Sequence, residues 1–263
     1  MYPDWFFKFL YKYALKRIKR YKPSELIIYH GGSFLNDNEI PKRFQTYIYN
    51  EVRKNDFLDT LTIETRCEYI NEKKIRTAKK NLGKKELKIA LGFESQDNYI
   101  RNKLLRKGIS KKQFESSVKL LKSQGVKVSV YVFLKPVGLN EKEAYIETIK
   151  SIEYLNSLKV DEINLSCAFV QKNTKMYTEY IEGNYKPPFL WTIIKIIEEA
   201  QKHNWPLLLG EFTDNPKPID IPKNCEKCSE DIYKILKTYR RTGVLKKTYK
   251  CACYNDYKKT SIK

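Results

Sequence analysis

The 263-residue sequence predicts an α/β chain, either most of a parallel barrel or an open parallel sheet. Three observations carry this. Strand-like apolar runs alternate with amphipathic helical patterns in units of about 30 residues, the spacing of βα units. The first such run, Leu26-Ile27-Ile28-Tyr29, reads as a buried strand leading into His30-Gly31-Gly32-Ser33. Glycines there lack a Cβ, so backbone amides and carbonyls can approach a ligand at the carboxyl end of a strand. A composition with 41% hydrophobic and 13% aromatic residues supplies one sizeable core and argues against disorder.

The elements follow in order. A helix is expected from Pro3 to Tyr21, with Trp5, Phe6, Phe9, Leu10, Tyr13, Leu15 and Ile18 as a broad apolar stripe and Lys16, Arg17, Lys19 and Arg20 in its last turn. After the glycine turn come a helix near Pro41 to Lys54, a strand at Thr60 to Glu64, a helix near Tyr69 to Asn81 and a strand at Leu87 to Phe93. Ser110 is a good N-cap for a helix to Ser123 that stops at Gly125. A strand at Lys127 to Leu134, a helix near Glu141 to Ser157 and a strand at Glu162 to Ala168 continue the alternation. A long loop leads to a helix near Phe189 to His203 and the apolar segment Pro206 to Gly210. The arithmetic gives about six strands.

Charge and cysteine usage narrow the function classes. With 51 Lys and Arg against 31 Asp and Glu, the formal charge of +20 favours a polyanionic partner, nucleic acid first, because phosphate contacts release condensed counterions. A lysine-rich solvated surface is the plainer account of the same number. No apolar run approaches a membrane span, and Asp4, Lys8 and Lys12 interrupt the aromatic start, so a cytoplasmic protein without membrane contact is expected. Six cysteines in that compartment read as thiols or metal ligands. The two histidines, His30 and His203, leave little room for His-based acid–base chemistry; His30 reads as a satisfied strand-end residue.

The loops after the strands are where a barrel assembles its active site. They offer Gly31, Gly32 and Ser33; Glu64, Thr65 and Arg66; Glu94, Ser95 and Gln96; Lys135 and Pro136; and Asn164, Ser166, Gln171 and Asn173. Any one of these could be an ordinary cap or loop residue. Two stretches, ETRCEYI at Glu64 to Ile70 and LGFESQDNYIRNKLLRKGIS at Leu91 to Ser110, together with the glycine turn, resemble the radical SAM core of the group that includes the elongator catalytic subunit. Val170 to Ile197, with its Val-Gln-x-x-Thr and Tyr-x-Pro-Pro-x-Leu-Trp segments, and the cysteine-bearing tail resemble the radical SAM subunits of archaeosine synthases. The likeness covers nearly the whole chain.

That resemblance implies a partial (β/α) TIM-type barrel of the radical SAM kind lacking its first strand, so that Leu26 to His30 would have an unpaired side. It implies S-adenosylmethionine and a 4Fe-4S cluster as cofactors, with Gly31, Gly32 and Ser33 as the ribbon for the methionyl amino group and Glu64, Arg66 and Glu94 beside the cofactor. Arg66 would pair with one of the two acids. Gln171, Asn173 and Tyr185 lie where a substrate base would be met, or simply belong to a loop pinned by Pro187, Pro188 and Trp191. The chain departs from the family in one respect. The cluster needs Cys-x3-Cys-x2-Cys after the first strand, and no cysteine precedes Cys67. The first strand and cluster loop are therefore expected to be missing from this polypeptide.

The other cysteines form their own constellation. Cys225, Cys228, Cys251 and Cys253 make two close pairs separated by a helix-like segment, Asp231 to Thr238, and four thiolates can close a tetrahedral zinc site, with free thiols or an iron cluster as other states. Zinc would substitute for a core this tail cannot build. The sequence thus divides into a radical SAM-like partial barrel, 1–215, and a small basic C-terminal appendage carrying the four cysteines, 216–263. Lys234, Lys237, Arg240, Arg241, Lys246, Lys247 and Lys250 make the appendage a plausible tRNA grip or an ordinary lysine face. The resemblance implies a tRNA-modifying enzyme forming archaeosine by C–N cleavage in a lysine adduct of a deazaguanine, beside a partner protein that attaches the lysine. A noncatalytic tRNA-binding or scaffold protein is the competing reading.

Overall fold

The computed structural model describes residues 4–29, 31–245 and 251–261. His30, Lys246, Lys247 and Lys250, named above, lie outside the described residues. Six strands carry the fold: β1 (Glu25–Ile28), β2 (Thr60–Glu64), β3 (Glu86–Glu94), β4 (Lys127–Leu134), β5 (Glu162–Cys167) and β6 (Leu207–Leu209). They lie side by side in sequence order, β1 to β6, in one sheet, the arrangement of a parallel half-barrel. Each strand is separated from the next by helix: α1 (Asp4–Ile18) before β1, then α2 (Lys42–Arg53), α3 (Glu72–Leu82), α4 (Lys111–Ser123), α5 (Glu141–Ser157), and α6 (Lys175–Ile181) with α7 (Leu190–Lys202) before β6. Two more helices, α8 (Glu226–Thr242) and α9 (Cys253–Ser261), follow.

The expected alternation is therefore what forms, and local chemistry explains several boundaries. The Asn71 side chain accepts from the Lys74 amide, so α3 starts at Glu72 rather than at Tyr69. Ser110 caps α4 through the Gln113 amide, and Asn140 with Glu143 closes a capping box on α5. Gly125, in a left-handed conformation, follows α4. Among the described residues no helix is long and apolar enough to cross a membrane.

The chain clusters into two compact units, Met1–Gly92 with Ile109–Ser129, and Phe93–Gly108 with Val130–Lys263. In the first, β1 pairs parallel with β2, and β2 with β3. Leu61, Ile63, Ile89 and Leu91 on one face and Thr62 and Ala90 on the other are almost fully excluded from solvent, as strands covered on both faces require. In the second, β5 pairs parallel with β6, and Leu165, Ile193, Ile196 and Leu236 are buried.

Two expectations change. The stretch Leu26 to Tyr29 is not a buried strand: β1 ends the sheet, Ile27 is 41% exposed, and Tyr29 is exposed too. An apolar run reads the same in a central and an edge strand, whereas an edge strand is covered less. Among the described residues no strand precedes β1 in the sheet. The apolar stripe of α1 is also less buried than its pattern implies: Trp5, Phe9, Leu10 and Tyr13 are exposed, and Tyr11 is the buried residue of that helix.

Candidate functional site

In the first unit, the turn after β1 is fixed from below and open above. Gly31 sits at φ +72°, a conformation that favours glycine, and a Cβ built on it would meet nothing within 4 Å. Ser33 is fully buried. Its amide donates to Glu39 Oε2 at 2.7 Å, and its hydroxyl accepts from the Arg66 amide at 3.1 Å. The Phe34 amide donates to the Glu64 carbonyl at 2.9 Å, and Asn36 Nδ2 donates to the second oxygen of Glu39 at 2.6 Å. The Ser33 hydroxyl and the Glu64 carbonyl thus tie this turn to the end of β2. Glu39, the bracket of this turn, carries no sequence signal beyond its charge. The Arg66 guanidinium bonds Glu68, with Nε to Oε1 at 2.5 Å.

In the second unit, Glu94 ends β3 at φ +69°, and Lys107 Nζ lies 3.0 Å from its Oε1. Non-glycine residues rarely occupy this region, and where they do the surroundings hold them there. Arg101, in a π-helical turn over Ile100–Leu104, is 1% exposed and stacks on the Phe93 ring at 4.7 Å. Its Nη1 donates to the Ser95 and Gln96 carbonyls at 2.9 and 3.0 Å. Glu147 of α5 closes the other side, accepting from Ser95 Oγ at 2.6 Å and Gln96 Nε2 at 3.1 Å. The loop after β3 is therefore rigid although it is polar.

Lys135 repeats the pattern at the end of β4, with φ +62°. Its ammonium meets Glu141 Oε2 at 2.6 Å, with both side chains nearly buried. Glu141 Oε1 accepts from the Phe189 amide at 2.9 Å and from Thr192 Oγ1, which also lies 3.2 Å from the Tyr257 hydroxyl. Tyr185 is 4% exposed and donates its hydroxyl to the Lys135 carbonyl at 2.8 Å. Gln171 Nε2 donates to the Pro216 carbonyl at 2.7 Å, and Asn173 is exposed at φ +61°. Within this unit Tyr185 buttresses a strand end, while Gln171 and Asn173 lie on the loop ahead of α6.

The four tail cysteines converge. Their sulfurs all lie within 4.8 Å of one another, with Cys225 to Cys228 at 3.5 Å and Cys225 to Cys251 and Cys228 to Cys253 at 3.6 Å. Tetrahedral thiolates about 2.3 Å from a zinc ion stand roughly 3.8 Å apart, so the set fits a metal ion. Burial works to raise the Cys225 thiol, but hydrogen bonds from Cys228, Cys253 and Cys251 outweigh it and bring it down to about 7. Trp191 Nε1 donates to Cys253 Sγ at 3.3 Å, an outer contact that orients the ligand. Cys225 and Cys228 flank the start of α8, and Cys253 begins α9.

A four-iron cluster does not fit the cysteines present: the tail sulfurs stand 3.5–3.6 Å apart, the spacing for a single ion rather than for the corners of an iron-sulfur cube. The two remaining cysteines, Cys67 and Cys167, are buried, and burial pushes both thiols up, Cys67 to about 11. They behave as small apolar side chains. At Gly31 the space beside the backbone is open.

No protein-family model matches the chain. Among solved structures it is similar to an archaeal Methanocaldococcus infernus Elp3 with an N-terminal deletion, at TM-score 0.62 and 22% identity over 89% of this chain and 63% of that one. A radical SAM methyltransferase from Sphaerobacter thermophilus follows at TM-score 0.51 and 14% identity, covering 75% and 54%. These neighbours set the fold class, a half-barrel of the radical SAM kind. Within that class it is similar to archaeosine synthase subunit beta of Methanosarcina acetivorans, 28% identical over 248 residues, 94% of this chain and 71% of that protein. It is also 34% identical over 198 residues to an uncharacterized protein of Methanocaldococcus jannaschii, covering 74% of this chain and 54% of that relative's length.

Proposed function

We propose that the chain is the radical SAM-like subunit of a tRNA-modifying enzyme, acting on a deazaguanine-type base to form archaeosine by C–N cleavage in a lysine adduct. The single observation that carries this is the likeness to archaeosine synthase subunit beta along 94% of the chain, on a core whose first glycine turn is open to a ligand. In this reading 1–215 is the catalytic core and 216–263 a zinc-bound, RNA-gripping appendage. A second protein that installs the lysine works with it, in the cytoplasm.

The chain's own residues take positioning parts. Gly31 and Gly32 present backbone groups to the amino-acid end of S-adenosylmethionine, while Ser33 and Glu39 hold the turn still. By the resemblance, Glu64, Arg66 and Glu94 would serve the cofactor and Gln171 and Asn173 the base, while Tyr185 donates its hydroxyl to the Lys135 carbonyl. S-adenosylmethionine would supply the radical chemistry of the class only with an electron from a 4Fe-4S cluster, which the cysteines of this chain do not hold.

The cysteine inventory favours a second reading for this polypeptide by itself, a noncatalytic tRNA-binding or scaffold protein. Four thiols converge on one metal site and the other two are buried. Equilibrium dialysis with S-adenosylmethionine separates the two. The enzyme reading expects binding by the wild type and its loss in Gly31→Val, with tRNA affinity kept. Absence of S-adenosylmethionine binding alongside tight tRNA binding favours the scaffold.

A further inference from the structure

Between α2 and α3, within the first unit and apart from the strand-end turn, lies a cleft of about 400 Å³. Lys42, Lys73 and Lys74 line it with a single carboxylate, Asp37, so three cations face one anion. Asp37 is already engaged by Lys74 Nζ at 3.3 Å, Lys42 Nζ at 3.4 Å and Gln45 Nε2 at 3.2 Å. The Lys73 ammonium makes no ion pair among the described residues. Tyr49 contributes to the wall and is 2% exposed; its hydroxyl has no hydrogen-bond partner. A buried hydroxyl left unpaired costs free energy that a bound polar group would recover. Lys73 and Thr77 also line a shallow groove of about 330 Å³, shared by the Glu72–Arg76 ion pair and by Lys80, seven residues and two helical turns along α3.

The volume exceeds what a lone phosphate needs and suits a nucleotide; the excess of cations suits its phosphate. We propose that this cleft is a nucleotide-binding pocket on the path of the RNA. One phosphorylated nucleoside enters with its phosphate against Lys42 and Lys73 and a polar edge toward the Tyr49 hydroxyl, and the following phosphate runs toward Lys80. This rests on the RNA reading of the preceding section. It places an RNA contact on α2 and α3 of the first unit.

The test is binding of unfractionated tRNA to the full chain between 50 and 200 mM salt. Lys42→Gln with Lys73→Gln is expected to weaken binding about tenfold and to lower the salt slope by about two. Lys112→Gln with Lys119→Gln removes the same charge from exposed positions of α4 and is expected to do neither. Tyr49→Phe is expected to weaken binding severalfold without lowering the melting temperature, whereas a merely structural hydroxyl would leave binding unchanged. Cleft variants that bind like the α4 control overturn the pocket and leave the RNA reading standing. If the wild type does not bind tRNA, the RNA reading falls, and acetylation footprinting with AMP decides the pocket. Protection of Lys42 and Lys73 by AMP keeps it as a free-nucleotide site; equal modification with and without AMP overturns it.

Discussion

The Lys135–Glu141 pair sets the end of β4, and its removal can be worked out from the structure. The side chains are 10% and 6% exposed, and the ion pair is 2.6 Å long. Lys135→Met leaves Glu141 Oε2 buried without its cation, while Oε1 keeps the Phe189 amide and Thr192. Stranding one member of a buried pair costs about 3–5 kcal/mol. Glu141→Gln strands the ammonium instead and falls in the same range. The double variant removes both charges and retains an acceptor for Phe189, so its cost is smaller than either single cost, about 0–2 kcal/mol. In a chain of this size 1 kcal/mol moves the melting temperature by about 2–4 °C, so each single variant melts roughly 6–20 °C lower. Urea titration of the four proteins measures the cycle. Single variants within about 1 kcal/mol of wild type, or a double cost equal to the sum of the singles, would refute the reasoning.

Three further outcomes are expected. Cys228→Ser, or a strong chelator, removes the metal and lowers the melting temperature, because α9 begins at a ligand and docks Tyr257 on Thr192; metal analysis should fall from about one ion per chain to none. Arg101→Met leaves the Ser95 and Gln96 carbonyls short of a donor and costs about 2–4 kcal/mol, seen as faster proteolysis between Glu94 and Lys107; an unchanged cleavage rate would count against the rigid-loop account. Gly31→Ala costs about 1 kcal/mol from backbone strain alone, since no atom stands in the way of its Cβ; a much larger loss by denaturant titration would mean that the turn is packed rather than open.

Much of this was legible in the sequence, and for identifiable reasons. The βα spacing, the caps at Ser110 and Asn140 and the paired cysteines are local patterns whose physics acts within a few residues. What escaped notice depends on distant neighbours. Arg101 sits in a run of charged residues that reads as surface, yet it is buried because the loop after β3 wraps its carbonyls around the guanidinium. Glu141 looks like an ordinary first-turn acid and is instead the partner of a strand-end lysine. Lys88, in the middle of β3, is buried against Glu25 at 3.0 Å, a pairing that only the register of β1, β2 and β3 reveals. The helix α9 was not visible in a cysteine-bearing tail, because its packing on α7 rests on the aromatic contacts of Tyr254 and Tyr257 with Trp191 and Phe189.

The central claim is a part in forming archaeosine in tRNA. Its most direct test is mass spectrometry of tRNA nucleosides from otherwise identical cells with and without the gene for this chain. The account predicts that archaeosine disappears and a lysine adduct of the deazaguanine accumulates without it, and that the wild-type gene restores the product while Gly31→Val does not. Archaeosine at its normal level in cells lacking the chain would contradict it.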